Sequence, residues 1–88
     1  SDIAVSDFVV ELRDDIEAPV AVAHIAQRMT VAQFKQASAT PNTGQRAVFA
    51  CRSGLRAWQA ATHLRSYWTG EISLIAMGDV PDTMRLTT

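Results

Sequence analysis

The middle of the chain reads Ala47-Val48-Phe49-Ala50-Cys51-Arg52-Ser53-Gly54-Leu55-Arg56. The apolar part has the length of a buried strand, and the basic part with its glycine has the composition of a tight loop. Apolar residues then recur every three or four positions over residues 57–68, which predicts a helix with one face packed on a sheet. The run therefore predicts a strand, a loop and a helix, with the chain's only cysteine at their junction.

The size and charge of the chain limit what it can be. It has 88 residues, 48% of them apolar, and a formal net charge of −1. This length supports one core, so we predict a single domain over residues 1–88. The chain begins with Ser1-Asp2, and we expect that it can be part of a longer protein with a domain before it. The balanced charge predicts neither a nucleic-acid nor a membrane partner, and the absence of a leader-like or membrane-length apolar run favours a cytoplasmic location.

The remaining pattern predicts the other elements. Strands are expected at residues 8–12, 20–23 and 71–75, in addition to the central strand at 46–50. Val31–Ala37 is expected to form a helix with Thr30 as its N-cap, and residues 38–44 a loop. Strands separated by helices need crossover connections, so this order predicts an α/β sandwich with a largely parallel sheet. Ligands gather at the carboxyl ends of such strands, where Cys51 lies.

Charge is distributed unevenly along the chain. Acidic residues crowd the first seventeen positions, while arginines flank or follow the cysteine at positions 46, 52, 56 and 65. We therefore expect any anion chemistry in the second half. The acidic start is expected to be a solvated face that can also hold Arg13 in place.

The residues around Cys51 favour a reactive thiol. A thiol is a nucleophile only as the thiolate, which a helix N-terminus and neighbouring cations stabilise. An arginine in the first turn of a helix opposes the helix dipole by about 0.3–1 kcal/mol, so Arg56 at this place is better explained if an anion binds the loop. Gly54 allows a tight turn that gathers backbone N–H groups. The alternative is that Cys51 is a small buried packing residue.

These residues resemble a known family. Cys51-Arg52-Ser53-Gly54-Leu55-Arg56 after an apolar strand is similar to the active-site loop of the rhodanese-like sulfurtransferases, in which C-R-S-G-x-R is frequent. Weaker similarity at Val9-Val10-Glu11-Leu12-Arg13 and at residues 71–78 extends the resemblance over about residues 8–78. It implies a small rhodanese-like three-layer sandwich. The scaffold would be reduced, since the segment between Arg13 and Ala23 is short and the chain stops soon after Gly78.

The resemblance also implies a function. Cys51 would be the catalytic nucleophile that carries a sulfane sulfur as a persulfide. The substrate-binding loop would comprise Arg52, Ser53, Gly54, Leu55 and Arg56, with Glu11 and Arg13 as support. The donor would be thiosulfate or a protein persulfide. Similarity to compact domains appended to ThiF/MoeB-like adenylyltransferases implies such a domain or a small sulfur-carrier protein as partner.

No cofactor or metal is expected. His24 and His63 lack the companions of a metal site and are expected at the surface or in packing contacts. The aromatic residues Trp58, Tyr67 and Trp68 are expected to pack in the core or between helices.

Loop length separates sulfur transfer from its nearest chemical alternative. Cysteine-dependent phosphatases place the arginine one position further from the cysteine, where this chain has Ala57 instead of an arginine. The shorter spacing suits a single sulfur atom better than a tetrahedral oxyanion, so we expect sulfur transfer rather than phosphatase or arsenate reductase chemistry. A non-catalytic rhodanese-like interaction module remains the alternative from another class.

Overall fold

The computed structural model describes residues 3–78. Its elements follow the chain as β1 (Phe8–Glu11), β2 (Gln27–Arg28), α1 (Val31–Ala37), β3 (Ala47–Cys51), α2 (Leu55–Arg65) and β4 (Ile72–Ala76). The four strands form one sheet in the order β2-β1-β3-β4, and every neighbouring pair is parallel. The predicted α/β class with a parallel sheet is confirmed as a reduced α/β sandwich.

Strand β3 lies at the centre of this sheet. All five of its residues are buried, and it pairs with β1 on one side and β4 on the other. A parallel strand covered on both faces requires a continuous apolar sequence, which this strand has. The sequence therefore predicted its position closely, with the strand shifted by one residue so that Cys51 is its last member.

Both helices pack against the same face of the sheet. Phe34 of α1 meets Phe49 of β3 edge to face, with ring centroids 5.1 Å apart. In α2, Ala57, Ala60 and Leu64 are fully buried in the same core. The small alanine side chains let the helix approach the sheet closely, so the predicted helix face is confirmed.

Helix α1 matches the sequence prediction at both ends. The hydroxyl of Thr30 accepts a hydrogen bond from the Gln33 amide at 3.0 Å, and the Gln33 side chain accepts one from the Thr30 amide at 2.8 Å. This reciprocal pair satisfies donors that the first turn would otherwise leave unpaired. At the other end Ser38 adopts a left-handed conformation with φ of 51°, which stops the helix.

The opposite face of the sheet also carries buried residues. Val9, Glu11 and Val48 are buried there, and the Val22 amide donates to Oε1 of Glu11 at 2.9 Å. The prediction of a strand at residues 20–23 is wrong. This segment forms no strand, because its Val22 amide donates to the Glu11 carboxylate and not to a neighbouring strand. On the side away from β3, β1 pairs instead with the polar strand Gln27–Arg28, whose two residues at the sheet edge carry no apolar pattern.

Within residues 3–78, no helix combines the length and apolar character needed to cross a membrane. The irregular tail predicted from Pro81 onward lies outside the described residues.

The packing of Phe34 gives a test of the core. Phe34 is fully buried, so Phe34→Ala is expected to lower the free energy of unfolding by about 3–5 kcal/mol through lost contacts and a cavity. The neighbouring exposed residue provides a control, since Lys35→Ala is expected to change it by no more than about 0.5 kcal/mol. Urea unfolding measures both, and a similar small change in the two variants would contradict the assigned core.

Candidate functional site

The candidate site lies where β3 passes into α2. Cys51 ends the strand, residues 52–54 form the loop, and Gly54 is the N-cap of the helix. Gly54 has φ of 94°, a left-handed conformation that side chains disfavour. The glycine of the predicted loop is therefore required by the turn that brings the helix N-terminus back toward the cysteine.

The sulfur of Cys51 accepts two backbone hydrogen bonds. The Gly54 amide lies 3.1 Å and the Ala57 amide 3.2 Å from Sγ. Gly54 has no side chain to cap the helix, so Cys51 takes this role from the strand side. Both donors sit at the positive end of the helix dipole, which favours negative charge on the sulfur.

One of these donors was missed by the sequence argument. The predicted binding loop covers residues 52–56, whereas Ala57, just beyond it, supplies the second N–H group. The available signal was its position as the third residue of the helix, since a capping group commonly accepts from that amide. The prediction of N–H donors gathered around Cys51 is confirmed for Gly54.

Arg56 is held from the other half of the chain. Its Nη1 donates to the Leu12 carbonyl at 2.6 Å and to Oε1 of Glu17 at 3.0 Å, and its Nη2 donates to Oε2 of Glu17 at 2.6 Å. The hydrogen bond with Glu17 raises the pKa of Arg56, and the same contact lowers the pKa of Glu17. The arginine predicted to face a bound anion thus already has a carboxylate partner. No local sequence pattern could reveal this pair, because Glu17 and Arg56 lie far apart in the chain.

The remaining loop residues are exposed and anchored through their backbone. The Arg52 carbonyl accepts from the Gly78 amide at 2.7 Å, and the Cys51 carbonyl accepts from the Met77 amide at 2.8 Å. These bonds tie the loop to the turn after β4. The hydroxyl of Ser53 accepts from the Leu55 amide at 3.4 Å, and Leu55 is 59% exposed.

Glu11 and Arg13, expected as support, form a buried ionic cluster. Nε of Arg13 donates to Oε2 of Glu11 at 2.6 Å, and Arg28 approaches Oε1 with its Nε at 3.3 Å. The Glu11 side chain has no exposed area, so these partners compensate the charge that burial would penalise. Leu12, between the two predicted residues, supplies the carbonyl that holds Arg56, so their link to the loop is indirect.

The expectation of a solvated acidic start is wrong for two residues. Glu11 is fully buried and Asp7 is 9% exposed. Asp7 accepts a hydrogen bond from Nη2 of Arg46 at 2.5 Å, which lowers the pKa of the carboxyl. Burial became possible because arginines from later in the chain pair with both. The interpretation that an acidic residue holds Arg13 in place is confirmed by Glu11.

A cavity lies beside the loop, not over the thiol. It has a volume of about 690 Å³ and opens at the carboxyl ends of β1 and β2. Arg13, Arg28 and Arg56 line it together with Leu12 and Met29, but Cys51 does not. Cys51 itself has no exposed area. Among the described residues that line this cavity, Arg56 is the one from the predicted binding loop.

The histidines take no part in this site. His63 lies between the rings of Phe34 and Tyr67, at centroid distances of 6.2 and 5.4 Å, so the predicted packing role is confirmed. His24 is exposed. Among the described residues, His, Cys, Asp and Glu side chains form no group of three that could hold a metal ion.

The aromatic residues of α2 and the turn after it differ in exposure. Trp68 packs against the core as expected. Tyr67 is 42% exposed and donates from its hydroxyl to the Ala39 carbonyl at 3.1 Å. The expectation of a packed Trp58 is wrong, because this side chain is 57% exposed on the outer face of the helix.

No family model, curated protein or solved structure matches this chain.

The ion pairs predict a loss of stability in acid. Hydrogen bonds from arginine lower the pKa of Glu17 from 4.5 and that of Asp7 from 3.8. The unfolded chain therefore binds protons more readily, so this stabilisation is present above the ordinary values and is lost as the pH falls through the lowered ones. We expect the free energy of unfolding, measured with urea, to decrease below about pH 4.5.

A double variant, Asp7→Asn with Glu17→Gln, provides the control for this pH dependence. It removes both titrating carboxyls and keeps their size, so its stability is expected to change less between neutral and acid pH. A double variant that loses stability as steeply as the parent chain would show that other groups cause the acid effect.

Proposed function

We propose that this chain is a rhodanese-like sulfurtransferase in which Cys51 carries a sulfane sulfur as a persulfide and passes it to a thiol or to a sulfur-carrier protein. The observation that carries the proposal is the pair of amides, from Gly54 and Ala57, that donate to Sγ at the start of α2. Such donors favour the thiolate, and they would favour a persulfide anion that occupies the same loop.

The proposed reaction consists of two displacements at sulfur. The Cys51 thiolate attacks the sulfane sulfur of the donor and forms an S–S bond with it. The donor's bond to that sulfur breaks, and its electron pair leaves with sulfite when thiosulfate is the donor or with a thiolate when a persulfide is the donor. An acceptor nucleophile then attacks the outer sulfur, and the electron pair of the S–S bond returns to Cys51.

The spacing of the loop supports sulfur over a larger group. The two amides converge on one sulfur position, and Arg56 is held by Glu17 and by the Leu12 carbonyl. A phosphatase needs an arginine free to grip a phosphoryl group with two parallel hydrogen bonds, which this contact opposes. Sulfur transfer needs only a stabilised thiolate and access to it.

Partners and location complete the proposal. The resemblance of the loop to domains appended to ThiF/MoeB-like adenylyltransferases favours a small sulfur-carrier protein as acceptor, with sulfur donated by thiosulfate or a protein persulfide. A single free cysteine is typical of chains from reducing compartments, so we place the chain in the cytoplasm. No cofactor takes part in the proposed steps.

Persulfide formation tests the proposal directly. Incubation with thiosulfate or with a cysteine persulfide is expected to add one sulfur atom to Cys51, detected by mass spectrometry and removed by cyanide. The matched control is Cys51→Ser, which keeps the size of the side chain but has no thiolate and is expected to gain nothing. No mass gain with any donor would contradict the proposed function.

The burial of Cys51 favours a second candidate, a non-catalytic rhodanese-like interaction module. The thiol has no exposed area, and the cavity of about 690 Å³ excludes it. In such a module the cysteine would serve as the cap of α2 and nothing more. The two candidates differ in whether the loop opens while the rest of the domain stays folded.

The urea dependence of alkylation separates these candidates. Under the first, iodoacetamide is expected to modify Cys51 at a rate that changes little at low urea, because local opening of the loop exposes the sulfur. Under the second, the rate should rise with urea as steeply as the population of unfolded chain. Mass spectrometry of quenched samples gives the rate, and the urea unfolding curve of the same protein provides the reference slope.

A further inference from the structure

We infer that Glu17 sets the donor specificity of the Cys51 loop, because it occupies Arg56 and thereby favours a persulfide donor over the dianion thiosulfate. This inference rests on the proposed function and names the class of donor that the same site takes. It assigns a specificity-determining role to a residue far from the loop in sequence.

The contact between the two side chains is extensive. Both carboxylate oxygens of Glu17 accept from the Arg56 guanidinium, at 3.0 Å and 2.6 Å, and the Leu12 carbonyl accepts a further hydrogen bond at 2.6 Å. A two-pronged pair of this kind is the geometry with which an arginine would otherwise bind a substrate oxyanion. An anionic donor that binds this two-pronged edge of Arg56 must therefore displace Glu17.

The turn that carries Glu17 is itself held in place. The Glu17 amide donates to the Asp14 carboxylate at 2.7 Å, and the Ala18 amide donates to the Asp14 carbonyl at 2.9 Å. These bonds present the Glu17 side chain to the loop. The same turn brings Asp14 and Asp15 to the cavity that Arg56 lines, so further negative charge lies on this side of the site.

Charges on the loop are compensated by this turn. Glu17 lies close enough to interact electrostatically with Arg52 as well as Arg56, and Arg56 interacts with Asp14 and Cys51. The positive charge of the arginines after the cysteine is thus partly neutralised by the carboxylates of Glu17 and Asp14. A donor with two negative charges gains little attraction here, whereas a persulfide carries at most one on its reacting group.

The experiment measures binding of sulfate, a dianion that cannot donate sulfur, to the 88-residue chain by NMR titration. The Glu17→Gln variant removes the carboxylate charge while keeping the side-chain length, so Arg56 becomes available. We expect the dissociation constant for sulfate to fall about fivefold, because this is the change in affinity that corresponds to the loss of a partly exposed ion pair. In the Asp15→Asn control, which removes a charge from the same turn, it should fall by less than about twofold.

The kinetic arm compares donors on the same proteins. In Glu17→Gln, the rate of Cys51 persulfide formation from thiosulfate, relative to that from cysteine persulfide, is expected to rise by about the same factor as the sulfate affinity. Glu17→Ala gives a second variant that releases Arg56 without an amide that could replace the carboxylate. Urea unfolding confirms that each variant is folded.

Two results would overturn the inference: sulfate affinity in Glu17→Gln and Glu17→Ala equal to that of the parent chain, or an equal gain in Asp15→Asn. The first would show that Glu17 does not compete for Arg56, and the second that only the net charge of the turn matters. Failure of sulfur transfer from every donor, with the sulfate effect intact, would remove the proposed function and leave the competition between Glu17 and an anion supported.

Discussion

The complete burial of β3 is the constraint on which the rest of this structure depends. A strand covered on both faces and paired on both edges must be apolar throughout, and its parallel neighbours require crossover connections. Each crossover returns the chain to the same end of the sheet. Cys51, the last residue of β3, therefore lies at the carboxyl edge, where the loop after it and the turns after β1 and β2 meet.

Capping of α2 connects this scaffold to the proposed chemistry. Gly54 turns the chain but cannot cap the helix with a side chain, and the sulfur of Cys51 accepts the amides in its place. The same hydrogen bonds that complete the helix favour charge on the sulfur. Under the proposed function, the stability of this junction and the reactivity of the thiol would therefore depend on the same hydrogen bonds.

Charge pairing links the two halves of the chain. Acidic residues from the first half pair with arginines from the second, Asp7 with Arg46 and Glu17 with Arg56. Glu11 pairs with its near neighbour Arg13 and with Arg28 of β2. The buried pairs compensate charges that the core would otherwise exclude. The Glu17 pair is partly exposed, so its contribution to stability is modest.

The local sequence determined those elements that depend only on residues a few positions apart. The apolar run of β3, the capping pair of Thr30 with Gln33, and the alanine face of α2 each follow from short-range periodicity or hydrogen bonding, and so does the position of Cys51 beside a helix N-terminus. Tertiary structure alone decided the edge strand Gln27–Arg28, the burial of Glu11 and the contact of Arg56 with Glu17. These depend on residues far apart in the chain that folding brings together, so no local pattern carries them. The sequence predicted a positive loop after β3. In the folded chain, Asp14 and Glu17 oppose the charge of its arginines.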